Sequence, residues 1–150
     1  MTERHITVQR RMAAPVDSVW ALFADFPNLA DHWRGLRATR AIGEQTSGEG
    51  ARRLVKLKPI GSMEETVIKW EDGRTIVTKN RSSASVPFSQ AEATLHIEPD
   101  GHGTAATFEY QYRPRGGPLG RVTGPLIDRM LRANFTSMLA AVEEAARADG

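Results

Sequence analysis

The feature that most constrains this chain is a change of hydrophobic period that happens twice. From His5 to Met12, Ile6, Val8 and Arg10 alternate with Thr7, Gln9 and Arg11, the two-residue repeat of a strand. After Pro15 the repeat turns helical, with Val16, Val19, Trp20 and Phe23 at i, i+3, i+4 and i+7 on one stripe. Pro27 ends that helix, and Asn28 is placed to cap a short second one carrying Leu29, Ala30 and Trp33. Alternation then returns over Leu36–Ile42, Ala51–Lys58, Met63–Trp70, Thr75–Arg81, Phe88–Glu98 and Thr104–Arg113, with turn residues rich in Gly, Pro, Asp and Ser between them. Glu71-Asp72-Gly73-Arg74 is the sharpest hairpin signal. Beyond Gly117 helical spacing resumes from Leu119 through Val142, with a kink or break expected at Gly124-Pro125 and Pro118 opening a shorter turn.

One strand, two short helices, six strands and one long helix make an α+β chain in which helices are segregated from an antiparallel meander. A twisted sheet of seven strands has more apolar face than one straight helix covers, so it must curl about the C-terminal helix. The expected architecture is a helix-grip fold, a single domain over residues 1–150, with spare interior space between sheet and helix.

Composition narrows the chemistry. The 150 residues include 40% hydrophobic and 25% charged ones, too apolar for disorder. No cysteine is present, so disulfides, zinc ribbons, iron–sulfur clusters and thiol nucleophiles drop out. Sixteen of the twenty cations are Arg, which raises the pI while the net charge is only +2, and pairs such as Arg10-Arg11, Arg52-Arg53 and Arg113/Arg115 are scattered. A solvated surface is favoured over a nucleic-acid track. No run of apolar residues reaches bilayer length and Met1–His5 lacks the apolar core of a signal peptide, so a cytoplasmic protein without stable membrane insertion is expected. Phosphate loops, GxSxG, HExxH and GxGxxG spacings are missing, the four histidines are far apart in sequence, and neither a cofactor nor a metal is expected.

Alternation selects the inner face. Ala91, Ala93, Leu95 and Ile97 oppose Gln90, Glu92, Thr94 and His96, and Ala106, Phe108, Tyr110 and Tyr112 oppose Thr107, Glu109, Gln111 and Arg113. Met63–Trp70 is ambiguous; Ile68 and Trp70 are taken as inward because the other choice buries Glu65 and Lys69. Phe88, Leu95 and Phe108 then supply apolar wall. Tyr110 and Tyr112 are either ligand-orienting phenols or core tyrosines bonded to backbone. Met130, Asn134 and Met138 share one stripe of the terminal helix, where Asn134 bonds either the sheet or a ligand. Trp33 is a candidate for the mouth.

The segments Ala14-Pro15-Val16-Asp17-Ser18-Val19-Trp20, Phe26-Pro27-Asn28-Leu29 with Trp33, Gly103-Thr104, and Gly116-Gly117-Pro118-Leu119-Gly120-Arg121 resemble the START/Bet v 1-like superfamily, in particular its bacterial polyketide cyclase/dehydrase and lipid-transport branch. The resemblance implies a small hydrophobic ligand, a lipid or polyketide, held between sheet and helix by a monomer or homodimer. It also implies an alternative, a polyketide cyclase or dehydratase using Tyr110, Tyr112, Arg53 and Arg81 in the same cavity; a third reading is a regulatory or interaction protein without a ligand.

Overall fold

The computed structural model describes residues 3–149. Strand β1 (Arg4–Met12) leads to helix α1 (Val16–Ala24) and a 3-10 helix (Phe26–Asp31). Six strands follow, β2 (Leu36–Ile42), β3 (Arg52–Leu57), β4 (Ser62–Glu71), β5 (Thr75–Ser82), β6 (Phe88–Asp100) and β7 (Gly103–Pro114), then a 3-10 turn (Gly117–Leu119) and helix α2 (Gly120–Asp149). The strands form one seven-stranded sheet in the order β1-β7-β6-β5-β4-β3-β2, every neighbour antiparallel. This is the helix-grip fold expected from the periods.

Local details differ from the sequence reading in two places. Asn28 does not cap a helix: the 3-10 helix begins at Phe26, and the Asn28 amide donates instead to Asp25 Oδ1 at 2.8 Å. At Gly124-Pro125, where a kink or a break is expected, α2 does not break: it runs through Pro125 for 30 residues, about 45 Å at 1.5 Å per residue. Pro125 lies in the second turn, where only one intrahelical bond is forfeited.

The corner where β1 meets β7 explains the Gly103-Thr104 pair. A Cβ on residue 103 would stand 2.4 Å from the Met12 carbonyl oxygen, so only glycine lets the strands approach. The next residue, Thr104, is fully buried and donates its hydroxyl to the Ala14 carbonyl at 2.8 Å, tying the start of α1 to β7.

Helix α2 is clamped to the sheet by two carboxylates. Arg4 donates from Nε and Nη2 to Asp128 Oδ2 at 3.0 and 2.6 Å, and the Tyr112 hydroxyl donates to the other oxygen of the same carboxylate. About 22 Å further along the rod at 1.5 Å per residue, Glu143 accepts from Arg10 Nε at 2.9 Å and from the Ala13 backbone N–H at 2.6 Å. Burial pushes the Asp128 carboxyl up, but the bonds from Arg4 and Tyr112 outweigh it and hold it below the usual carboxylate range. The Ala13 N–H and then Arg10 do the same for Glu143, against partial burial.

A carboxyl held low in the folded state stabilises above its unfolded pKa of about 4 and loses that contribution as pH falls through its lowered value. Asp128→Asn is therefore expected to lower stability at neutral pH and to flatten the acid side of the stability curve, read by urea unfolding across pH. Tyr112→Phe is expected to cost roughly 1.5–3 kcal/mol, the range for a hydrogen bond to a charged group. An unchanged urea midpoint in both variants would remove this clamp from the account.

Candidate functional site

The inner wall is built from β3 to β7, and its polar content comes from cross-strand register. Counting outward from the turn centred on Pro59 places Arg53 directly opposite Glu65. Their side chains are 12% and 11% exposed and meet at 2.7 Å (Nε to Oε1) and 2.5 Å (Nη2 to Oε1). The remaining Arg53 nitrogen donates to the Phe26 carbonyl at 2.7 Å, and the guanidinium lies 3.9 Å from the Phe26 ring centroid. Glu65 in turn faces Asn80 of β5, whose amide nitrogen and oxygen are buried without a hydrogen-bond partner.

Between these strands, the 3-10 helix and α2 lies a cavity of about 370 Å³, within the range of small-molecule sites. Aromatic rings form one side. Phe135 of α2 packs against Phe108 and Tyr110 at centroid distances of 4.6 and 4.8 Å, and Phe88 meets Tyr110 edge-on at 5.9 Å. Tyr110 is buried, and its hydroxyl donates to the Met63 thioether 3.7 Å away, a weak acceptor. Burial first, and the charge of Glu65 second, push this phenol far above its usual pKa, so it stays a neutral donor.

Of the residues singled out from sequence, Trp33, Phe88, Leu95, Phe108, Tyr110, Met130, Asn134 and Met138 line the cavity. Met138 is buried, while Met130 and Asn134 stand at the rim; Asn134 is exposed and does not interrupt a buried face. Ile68, Trp70 and Tyr112 are elsewhere. Ile68 sits in a β-bulge between Val67 and Lys69 and is exposed, contrary to the expected inward face: Met63, Glu65 and Val67 face the core. The bulge returns Trp70 to the inner face, but at the hairpin end, where it packs edge-on against Trp20 at 5.5 Å and bonds Asp72. Tyr112 belongs to the α2 clamp, with the Gly124 carbonyl 3.3 Å away. Arg81 lies on the outer face, in an open groove of about 550 Å³ that mixes charges such as Arg52, Glu64, Lys79 and Glu92.

Glu65 and Phe135 also line the cavity and are not among the residues singled out from sequence. Glu65 was legible from the turn register, which supplies the partner that makes its burial tolerable.

The chain matches, over residues 3–147, the family model described as polyketide cyclase / dehydrase and lipid transport. Among solved structures it is similar to the Zhui aromatase/cyclase from Streptomyces sp. R1128, with 18% identity, TM-score 0.82, and coverage of 97% of this chain and 94% of that one. A START superfamily protein from Mycobacterium smegmatis aligns with 12% identity and TM-score 0.81 over 97% and 99% of the two chains. Ginseng major latex-like protein 151 from Panax ginseng gives 10% identity and TM-score 0.73 over 98% and 97%. Likeness at these identities is likeness of fold. No curated protein matches the sequence.

The Arg53–Glu65 pair is testable as a unit. Glu65→Leu alone leaves a guanidinium in an apolar wall and is expected to cost roughly 3 kcal/mol, whereas Arg53→Met with Glu65→Leu is expected to fall within about 1 kcal/mol of wild type or above it. Urea unfolding of the three proteins decides; a single variant as stable as the double would mean the pair is solvated.

Proposed function

The chain belongs to the polyketide cyclase/dehydrase and lipid transport family, and from that premise we propose that its cavity binds a small, mostly apolar molecule bearing one neutral polar group. One observation carries the reading: a strong donor, the Tyr110 hydroxyl, lines an apolar cavity and donates to nothing better than a thioether. Burying a ligand's apolar body contributes about 25 cal/mol per Å², and a carbonyl or hydroxyl offered to Tyr110 replaces a poor acceptor with a good one. Arg53 and Glu65 neutralise each other, so the polar end of the site suits an uncharged group.

Ring closure of a poly-β-ketone is the second reading, supported by the guanidinium and phenol that share the cavity wall. The charge arrangement favours binding over this chemistry. Enolate formation needs a base, yet Glu65 is engaged by Arg53 and Tyr110 holds its proton more firmly than a free phenol. Binding without turnover, by one domain and in a monomer or homodimer, is the reading retained.

Native mass spectrometry of freshly purified protein is expected to show a retained small molecule. With Nile red, an uncharged fluorophore bearing a carbonyl, as probe, Tyr110→Phe is expected to weaken binding about fivefold, the worth of one neutral hydrogen bond. Met138→Trp is expected to abolish probe binding while costing under about 1 kcal/mol, because a void accepts the ring. Unchanged probe affinity in both variants would move the ligand out of this cavity. Cyclised product from a poly-β-ketone, formed by wild type and lost in Arg53→Met, would favour the enzyme instead.

A further inference from the structure

We propose that the outer face of the first half of α2, with the β3–β4 turn, docks on an anionic lipid surface and presents the cavity mouth to it. Val122, Leu126 and Met130 stand on the solvent side of α2 at 77%, 70% and 46% exposure, Leu119 precedes them at 69%, and Ile60 on the β3–β4 turn is 64% exposed. At 100° per residue the three helical positions fall within an arc of about 80°. The inward stripe is separate and built from Ile127, Leu131, Met138 and Val142. Single exposed aliphatic side chains are ordinary, but a ridge of them is an unburied contact surface. Met130 and Ile60 also line the cavity, so ridge and mouth are continuous.

Charge selects the occupant. Lys58, whose ammonium bonds the Arg34 carbonyl at 2.5 Å, and Arg37, which bonds the Leu57 carbonyl at 2.6 Å, cluster at the mouth. Arg121 and Arg129 flank the ridge. Stretches 33–37, 57–61, 115–122 and 129–134 contain no Asp or Glu; of the carboxylates that border them, Asp128 is committed to Arg4 and Asp31 lies on the short 3-10 helix. A second copy related by a two-fold axis would bring this cationic rim against itself. An acidic lipid surface accepts both the aliphatic ridge and the cations. Among the described residues no helix is long and apolar enough to cross a membrane, so the contact is peripheral. The surface rests on exposure and charge and holds whatever occupies the cavity.

Co-sedimentation of the full chain with vesicles of mixed phosphatidylglycerol and phosphatidylcholine, against vesicles of phosphatidylcholine alone, tests this. Binding is expected to the mixed vesicles only, and to fall as salt is added. Leu126→Glu is expected to lower the partition coefficient about tenfold or more, and Arg129→Ala about fivefold, the equivalent of roughly 1 kcal/mol for a cation near an anionic surface. Both variants should keep wild-type melting, since neither side chain is buried. Equal binding to the two vesicle types, no binding to either, or binding that survives Leu126→Glu overturns the proposal. A solution dimer that Leu126→Glu dissociates also overturns it, by assigning the ridge to a second copy.

Discussion

Both ionic clamps of α2 reach the same edge of the sheet, and the hollow interior follows from that asymmetry. Asp128 is held by Arg4 and Tyr112, Glu143 by Arg10 and Ala13, and all four partners lie on β1, on β7, or just after β1. Seven strands spaced about 4.8 Å apart span roughly 29 Å, whereas a helix with its side chains is about 10–12 Å across. A rod clamped at one edge therefore covers two or three strands and leaves the inner face of β3 to β5 to other groups. The 3-10 helix supplies Phe26 and Leu29, and Phe135 reaches out from α2 to stack on Phe108 and Tyr110. What these do not fill is the cavity.

Deep on that wall Arg53 and Glu65 neutralise each other, with Lys58 out at the mouth, and this shapes what the site prefers. An ion pair in an apolar setting is a weak source of stability, because desolvating two ions costs nearly what their attraction returns. Arg53 and Glu65 are tolerable there since the guanidinium has a carboxylate, a carbonyl and an aromatic face as partners. An anionic guest would compete with Glu65 for Arg53, whereas a neutral carbonyl or hydroxyl leaves the pair intact. The two tyrosines divide in the same way: Tyr112 is spent on fastening α2, and Tyr110, one alternation further into the sheet, is left with the weaker partner.

How much was legible in the chain depended on whether one strand could be read without its neighbours. The faces of β6 and β7 were clear, because Ala91, Ala93, Leu95 and Ile97 are all buried and their alternates are not. The α+β order and the strand succession were equally clear, since each change of period coincides with Gly or Pro. β4 failed because its bulge at Ile68 exists only in pairing with β5, and because the burial of Glu65 is decided by Arg53 on β3. Along α2, one run of apolar residues concealed two stripes: Ile127 and Leu131 face the sheet, while Val122 and Leu126 face water. Three- and four-residue spacing fits both, and it takes contacts with the sheet, such as the clamps at Asp128 and Glu143 and the bond from Arg132 to the Thr7 carbonyl, to fix the rotation of the rod.

Shared architecture leaves the interior to decide what such a protein does. The same backbone course serves an aromatase/cyclase and a plant latex-like protein at identities of 18% and 10% to this chain, so fold alone separates neither catalyst from carrier nor one ligand from another. The discriminating atoms here are few. A guanidinium neutralised by its cross-strand partner offers little excess field for a developing oxyanion, which is where electrostatic catalysis draws most of its strength. A buried phenol with a raised pKa orients a guest but does not abstract its proton. The wall thus supplies recognition in directions where a catalyst would need imbalance, and that balance is the physical argument behind proposing binding ahead of turnover.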